Sequence, residues 1–277
     1  MRRRSFAKIN LHLSVLGKRP DGYHDILTLM QRISLADEME FLPATGGITL
    51  RCPGHPELEN AENLVFRAAY MIIAATHWPG GVKIILKKHI PIAAGLGGGS
   101  SNAATTLLVM NEMMGGPLRR EELAQMGKKL GADVPFFIYE KNAWASGIGD
   151  ILTEAGELPF FHVLLVNPGF HLSTRLVYEN LNLRLTKNSG RYNIRRISDV
   201  GDIVDNLRND LEAVALGLHP VIGAIKEKIL SFGAEGALMS GSGPTVFGLF
   251  LNEEKAKRVA EELKGQTNWN VLVAHTI

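Results

Sequence analysis

The run Pro91-Ile92-Ala93-Ala94-Gly95-Leu96-Gly97-Gly98-Gly99-Ser100-Ser101 places three consecutive glycines and two serines directly before a helix-forming segment. Glycine takes positive φ at little cost and lets the backbone approach an anion closely. The helix that follows offers unsatisfied N–H groups and the positive end of its dipole to the same anion. A flexible linker is the competing reading. It fits poorly between an apolar strand at 82–86 and an Ala-, Leu- and Met-rich helical pattern at 103–114. No lysine follows the glycines, as the P-loop of nucleotide hydrolases requires. Counting from Gly95 or Gly97, the sixth position is Ser100 or Asn102, so the dinucleotide fingerprint also fails. What remains is a loop that holds phosphate through backbone N–H groups, helix dipole and serine hydroxyls, with a metal ion or a distant cation neutralising the rest. The implied partner is a nucleoside phosphate with magnesium.

Phosphoryl transfer to an alcohol needs an oriented hydroxyl, a proton acceptor and positive charge around the migrating group. Asp133, in Gly131-Ala132-Asp133-Val134-Pro135, follows a helix ended by Gly131 and could project into a cleft, or could simply cap a turn. Lys8 shares a strand face with Asn10. It is either a solvent-facing charge or the cation that the loop lacks, set to keep a carboxylate ionised and to meet developing negative charge. Tyr23 and His24 come directly after a Pro20-Asp21-Gly22 turn, where an aromatic ring can stack on a base and an imidazole can bond its edge. Tyr178 on an apolar helix face reads by itself as packing. Gly241-Ser242-Gly243, preceded by Ser240, is a glycine turn that a plain hairpin would also produce.

The elements that must position these groups follow from periodicity. Residues 7–15 alternate Ala7, Ile9, Leu11, Leu13 and Val15 with Lys8, Asn10, His12 and Ser14, the pattern of a half-buried strand. Residues 26–42 read as further extended or mixed structure, with another strand at 48–51. Helices are expected at 63–75, 103–114 and 119–130, with a strand at 82–88. A buried strand at 163–166 and a turn at 167–169 precede a helix at 174–181. Polar, periodless 186–196 reads as a surface loop. Helices at 199–206 and 219–232, two strands about a glycine turn within 237–250, a helix at 253–264 and a strand at 270–274 complete the chain. The order argues for an α+β fold, with domains at 1–156 and 157–277.

At 277 residues the chain can bury a large core. A net charge of only +2, with no basic stripe, argues against a nucleic-acid surface; the Arg2-Arg3-Arg4 cluster reads as a solvated end. The single cysteine, Cys52, excludes an internal disulfide and has no metal-ligand spacing around it. With no long apolar run and no signal-peptide pattern, the expected setting is cytoplasmic and away from membranes.

The glycine loop resembles the central motif of the GHMP kinases. Its triple-glycine form with paired serines, together with Ala7-Lys8-Ile9-Asn10-Leu11 and Arg19-Pro20-Asp21-Gly22-Tyr23-His24, is similar, over essentially the whole chain, to the branch that phosphorylates a cytidine-diphosphate-linked methylerythritol in non-mevalonate isoprenoid synthesis. Other acceptors used within the family, homoserine, mevalonate or a sugar, are the alternative, and a non-catalytic nucleotide-binding relative is a further one. The resemblance implies a two-domain GHMP kinase fold, with a ribosomal protein S5 domain 2-like amino-terminal domain and an α/β-sandwich carboxy-terminal domain. It implies ATP as phosphoryl donor on residues 91–101, Mg2+ with unassigned ligands, Asp133 as general base and Lys8 as its electrostatic partner. Asn10 would orient the acceptor hydroxyl, Tyr23, His24 and Tyr178 would recognise cytosine, and Thr174 would bond the diphosphate. Asn63 would lie near adenine and the Ser240 turn would close on the nucleotide loop; residues 209–212 also resemble a family segment but read as structural. The expected assembly is a monomer or weak homodimer.

Overall fold

The computed structural model describes residues 1–182, 197 and 199–277. The chain forms two compact units: Met1–Ala7, Ala36–Ile92 and Gly97–Lys141 make one, and Lys8–Leu35, Ala93–Leu96 and Asn142–Ile277 make the other. Two long strands, β1 (Arg2–Lys18) and β2 (His24–Ala44), contribute residues to both. The expected uncertain stretch at 26–42 is therefore one continuous strand.

In the first unit the later part of β2 pairs antiparallel with β4 (Gly81–Lys87), from Glu38 opposite Lys87 to Ala44 opposite Gly81, and β4 pairs in parallel with β3 (Ile48–Arg51). Helix α1 (Leu64–Thr76) begins where the Asn63 side chain accepts from the Val65 N–H at 2.9 Å, and it buries Val65, Ala68, Ala69 and Ile72, the spacing of one helix face. It packs on α2 (Gly98–Met113), which also meets α4 (Val134–Tyr139); α3 (Arg120–Leu130) packs on α4. Helix α2 starts five residues before the expected 103, because the glycines and serines themselves form its first turn. Cys52 is fully buried, and burial pushes its thiol up to about 11, so it is an inert structural thiol.

In the second unit β5 (Ala143–Ser146) pairs with β2 at Thr28 to Met30, β6 (Ile151–Glu154) pairs with β5, and β8 (Arg208–Asn209) runs parallel to β1 at His12 and Leu13. A separate antiparallel sheet has the order β11 (Asn270–His275), β7 (His162–Asn167), β10 (Val246–Phe250), β9 (Gly236–Met239). Helices α5 (Thr174–Glu179), α6 (Val200–Asn206), α7 (Glu212–Leu218), α8 (Val221–Ser231) and α9 (Glu253–Gln266) complete this unit among the described residues. The core joins Leu164, Val166, Val246 and Phe250 of the sheet to Ile222, Ile225 and Ile229 of α8 and Val259 and Leu263 of α9. These spacings follow from periods of two and 3.6 residues.

The short elements α4, β5, β6 and α7 do not stand out in the sequence. The loop expected at 186–196 lies outside the described residues. The alternation at 7–15 puts the apolar side chains inward as expected, but the other face is no solvent face: Lys8 and Asn10 are each 3% exposed and His12 7%. Among the described residues no helix is long and apolar enough to cross a membrane.

Candidate active site

Within the second unit, Lys8 is buried because the chain closes over its strand face. Its Nζ donates to Asn10 Oδ1 at 2.6 Å and to the Gly95 carbonyl at 3.1 Å, while its backbone N–H donates to the Leu96 carbonyl at 3.0 Å. The side chain of Asn10 is itself fixed: its Nδ2 donates to Thr28 Oγ1 at 2.8 Å, and that hydroxyl donates to the His12 carbonyl at 2.6 Å. Thr28 was not foreseeable, since nothing in sequence links it to a residue on the preceding strand. The result is an ammonium and an amide that both have a fixed orientation.

The carboxy-terminal glycine turn closes on the same place. Ser240 Oγ donates to the Gly95 carbonyl at 3.0 Å. Gly95 has φ +78°, and a Cβ there would stand 2.1 Å from the Ser240 carbonyl oxygen, so no larger residue fits without moving backbone. Gly241, at φ +57°, would direct a Cβ to within 3.4 Å of both Lys8 Nζ and Asn10 Oδ1. Asn209 braces the turn through Nδ2 bonds to the Met239 and Gly241 carbonyls at 2.8 and 2.7 Å, and Glu212 accepts the Met239 N–H at 2.9 Å. Asn209 and Glu212 thus act structurally, in keeping with the structural reading of 209–212.

A second group in this unit gathers around α5. The rings of His24 and Tyr178 lie 5.1 Å apart at 33°, and Thr174, one turn before Tyr178, shares a 2.7 Å hydrogen bond with Ser242. Tyr23, next to His24 in sequence, is 62% exposed, and its backbone N–H donates to Asp21 Oδ1 at 3.1 Å. Burial, helped by the charge of Lys18, holds His24 below its ordinary 6.5, favouring the neutral ring that can both donate and accept.

The phosphate loop leaves β4 through Pro91 and the exposed Ile92. Ala93, Gly95 and Gly97 have positive φ of 51°, 78° and 71°, with Ala94 and Leu96 buried between them. Gly97 then caps α2, whose first turn is Gly98, Gly99, Ser100 and Ser101; the Ser101 N–H donates back to the Gly97 carbonyl at 2.9 Å. The N–H groups ahead of it point out of the helix end. A non-glycine residue at positive φ, Ala93, is the one irregularity that the glycine pattern does not announce.

In the first unit, Asp133 occupies the residue before α4, yet its side chain makes no capping hydrogen bond. It is partly exposed. The corner that bears it lies near the phosphate-loop helix: a Cβ on Gly131 would stand 3.7 Å from Ser100 Oγ. Asn63, by contrast, spends its side-chain oxygen on capping α1 and donates Nδ2 to the Leu58 carbonyl at 2.9 Å.

The family described as GHMP kinases N terminal domain matches residues 63–141, and that described as GHMP kinases C terminal matches residues 191–267. A curated relative from Syntrophus aciditrophicus, named 4-diphosphocytidyl-2-C-methyl-D-erythritol kinase, is 53% identical over 98% of this chain and 97% of its own. A crystal structure of 4-(cytidine 5'-diphospho)-2C-methyl-D-erythritol kinase superposes with TM-score 0.82 at 35% identity, covering 99% of each chain. A homoserine kinase from Cytophaga hutchinsonii, at TM-score 0.73 and 18% identity over 100% of this chain and 94% of its own, shares the fold alone. With both family segments present and more than half the residues shared with a full-length relative, the chain belongs to the 4-diphosphocytidyl-2-C-methyl-D-erythritol kinase family of the GHMP kinases.

Proposed function

We propose that this chain transfers the γ-phosphoryl group of ATP to the 2-hydroxyl of 4-diphosphocytidyl-2-C-methyl-D-erythritol, giving the 2-phosphate and ADP. Full-length kinship at 53% identity with a relative named for that substrate carries the reading. The acceptor oxygen attacks the γ-phosphorus, the bond from that phosphorus to the β,γ-bridging oxygen breaks, and the hydroxyl proton passes to Asp133. Lys8 lowers the cost of negative charge at the reacting oxygens, and Asn10 orients the hydroxyl. Residues 91–101 cradle the nucleotide phosphates through backbone N–H groups and the α2 dipole. His24, Tyr178 and Tyr23 receive the cytosine, and Thr174 bonds the diphosphate.

Magnesium neutralises β- and γ-phosphate charge when bound with the nucleotide. Among the described residues no three His, Cys, Asp or Glu side chains gather as a metal cluster. The ion would be carried mainly by the substrate phosphates, with the Ser100 hydroxyl in the first turn of α2 as a protein oxygen that would join it.

The test is ADP release with magnesium-ATP against a panel of acceptors. Turnover with the cytidyl compound and none with mevalonate, homoserine or galactose is expected. Turnover with one of those three and none with the cytidyl compound would overturn the assignment of the acceptor.

A further inference from the structure

Beneath the first turn of α2, wholly within the first unit, lies a buried polar cluster that the reaction as described does not use. The Asp37 side chain is 0% exposed and that of Lys88 6%, and the two form an ion pair. Asp37 Oδ1 accepts the backbone N–H groups of His89 at 2.7 Å and Ile90 at 2.8 Å, and its Oδ2 accepts Asn102 Nδ2 at 2.9 Å as well as Lys88 Nζ. Lys88 also donates to Asn102 Oδ1 at 3.1 Å. From Asn102 the cluster runs to Ser5 Oγ at 2.9 Å, which shares a 2.7 Å hydrogen bond with Ser101 Oγ.

The placement of these bonds in the chain gives them meaning. Residues 88–90 are the last before the phosphate loop, and 101–102 belong to the helix turn that ends it. One carboxylate is bonded to both ends of the loop. Gly98 makes the approach possible, since a Cβ there would stand 3.0 Å from Ile90 Cγ2 and 3.2 Å from Lys88 Nζ. Stability alone is a weak reason for such a cluster, because a buried ion pair repays its desolvation only partly and an apolar replacement of similar shape is often no worse. Fixed geometry is what an apolar replacement would not supply. With Asp37 matching its charge, Lys88 acts as a strut between loop ends more than as a phosphate ligand.

We propose that Asp37 is a positioning residue for the phosphoryl donor: through Lys88, Asn102 and the 89–90 backbone it holds both ends of the phosphate loop, so the N–H groups of the α2 first turn are set before nucleotide arrives. The inference rests on the reading of this chain as an ATP-dependent kinase. Preorganised donors bind an anion without first being ordered, so loosening them weakens donor binding and leaves the acceptor groups of the second unit alone.

The test uses the full chain with Asp37→Asn, Ser5→Ala and the double variant Asp37→Asn/Lys88→Met. Kd for a non-hydrolysable magnesium-ATP analogue, KM for ATP, KM for the cytidyl acceptor and Tm are measured for each. Asp37→Asn should raise Kd and KM for the nucleotide about ten- to a hundredfold with the acceptor KM unchanged, the scale of a small misplacement within a binding frame. Ser5→Ala, which leaves the ion pair intact and should fold normally, should shift the nucleotide parameters alone by a smaller factor. The double variant removes the unmatched lysine charge and should regain Tm without regaining nucleotide affinity. The proposal is overturned if Ser5→Ala moves donor and acceptor parameters together, if the double variant recovers nucleotide affinity along with Tm, or if no variant changes nucleotide affinity. Failure of the unaltered chain to bind the ATP analogue would instead overturn the kinase reading on which the inference stands.

Discussion

A buried lysine whose ammonium donates to an amide oxygen at 2.6 Å and a backbone carbonyl at 3.1 Å is held in one position. That is what a phosphoryl-transfer site asks of a cation in a family whose loop carries no lysine. Replacing Lys8 by Met should therefore lower kcat by about 10²- to 10³-fold, as loss of one electrostatic donor does elsewhere, with the ATP analogue still bound. Asp133→Asn should lower kcat by about 10²- to 10⁴-fold with nucleotide Kd little changed, the loss typical of a general base. Steady-state rates beside nucleotide titrations check both, and near-normal turnover in the asparagine variant would remove Asp133 from the proton path. The Lys8 and Asn10 pair was legible in sequence because a two-residue spacing on a strand fixes a shared face. The Thr28 hydroxyl that holds Asn10 was not, because it lies 18 residues away and only strand pairing brings it near.

Elements carry these residues into place with differing legibility. Helix α5 presents Thr174 and Tyr178 one turn apart, as its spacing foretold, and base stacking of the kind proposed for Tyr178 is worth about 1–3 kcal/mol per base. Tyr178→Ala should raise the acceptor KM roughly ten- to a hundredfold while the ATP KM stays put, and equal rises in both would reassign the ring to packing. The alternation of strand β1 cannot say that the polar face is also covered; Gly95 and the turn at Gly241, which meet Lys8 and Asn10, do part of that covering. Among the buried polar residues is His12, whose ring bonds the Asn206 carbonyl at 3.0 Å and Ser14 Oγ at 2.8 Å. Burial chiefly holds its pKa below 6.5; Arg208 adds to this, while the Asn206 bond and Asp210 oppose it. The sign follows: as pH falls through 6.5 the unfolded chain takes up a proton that the folded chain refuses, so stability is full above that value and declines below it until the folded ring protonates. Thermal melts should show Tm falling between about pH 7 and pH 5, with a shallower slope in His12→Asn, and equal slopes would rule out His12 as the source. Short elements such as α4 and β5 escape a periodicity reading because four to six residues hold barely one or two repeats of either pattern.

At the scale of the whole molecule, the donor and acceptor groups are written far apart in the chain. In the proposed reaction the loop at 91–101 addresses ATP, whereas residues 8–24 and 174–178 address the acceptor; the α+β class with two sheets follows from the interleaving of strands and helices that the periodicity revealed. How the chain weaves between its two compact units was not legible, because β1 and β2 each serve both and no composition shift marks the crossing. Separate donor and acceptor groups make ligand stabilisation diagnostic. A ligand at 100 times its Kd stabilises the native state by about 2.7 kcal/mol, which for a chain of this size raises Tm by roughly 5–10 °C. Cytidine diphosphate alone should therefore raise Tm, because His24, Tyr178 and Thr174 would engage its base and phosphates without the sugar alcohol. The magnesium-ATP analogue should raise Tm independently, and the two shifts should add, since neither ligand uses the other's groups. Tyr178→Ala should lose the cytidine diphosphate shift and keep the nucleotide analogue shift. Competition between the two ligands, or a cytidine diphosphate shift untouched by Tyr178→Ala, would place the cytidyl group on the nucleotide loop and undo the division of labour proposed for these residues.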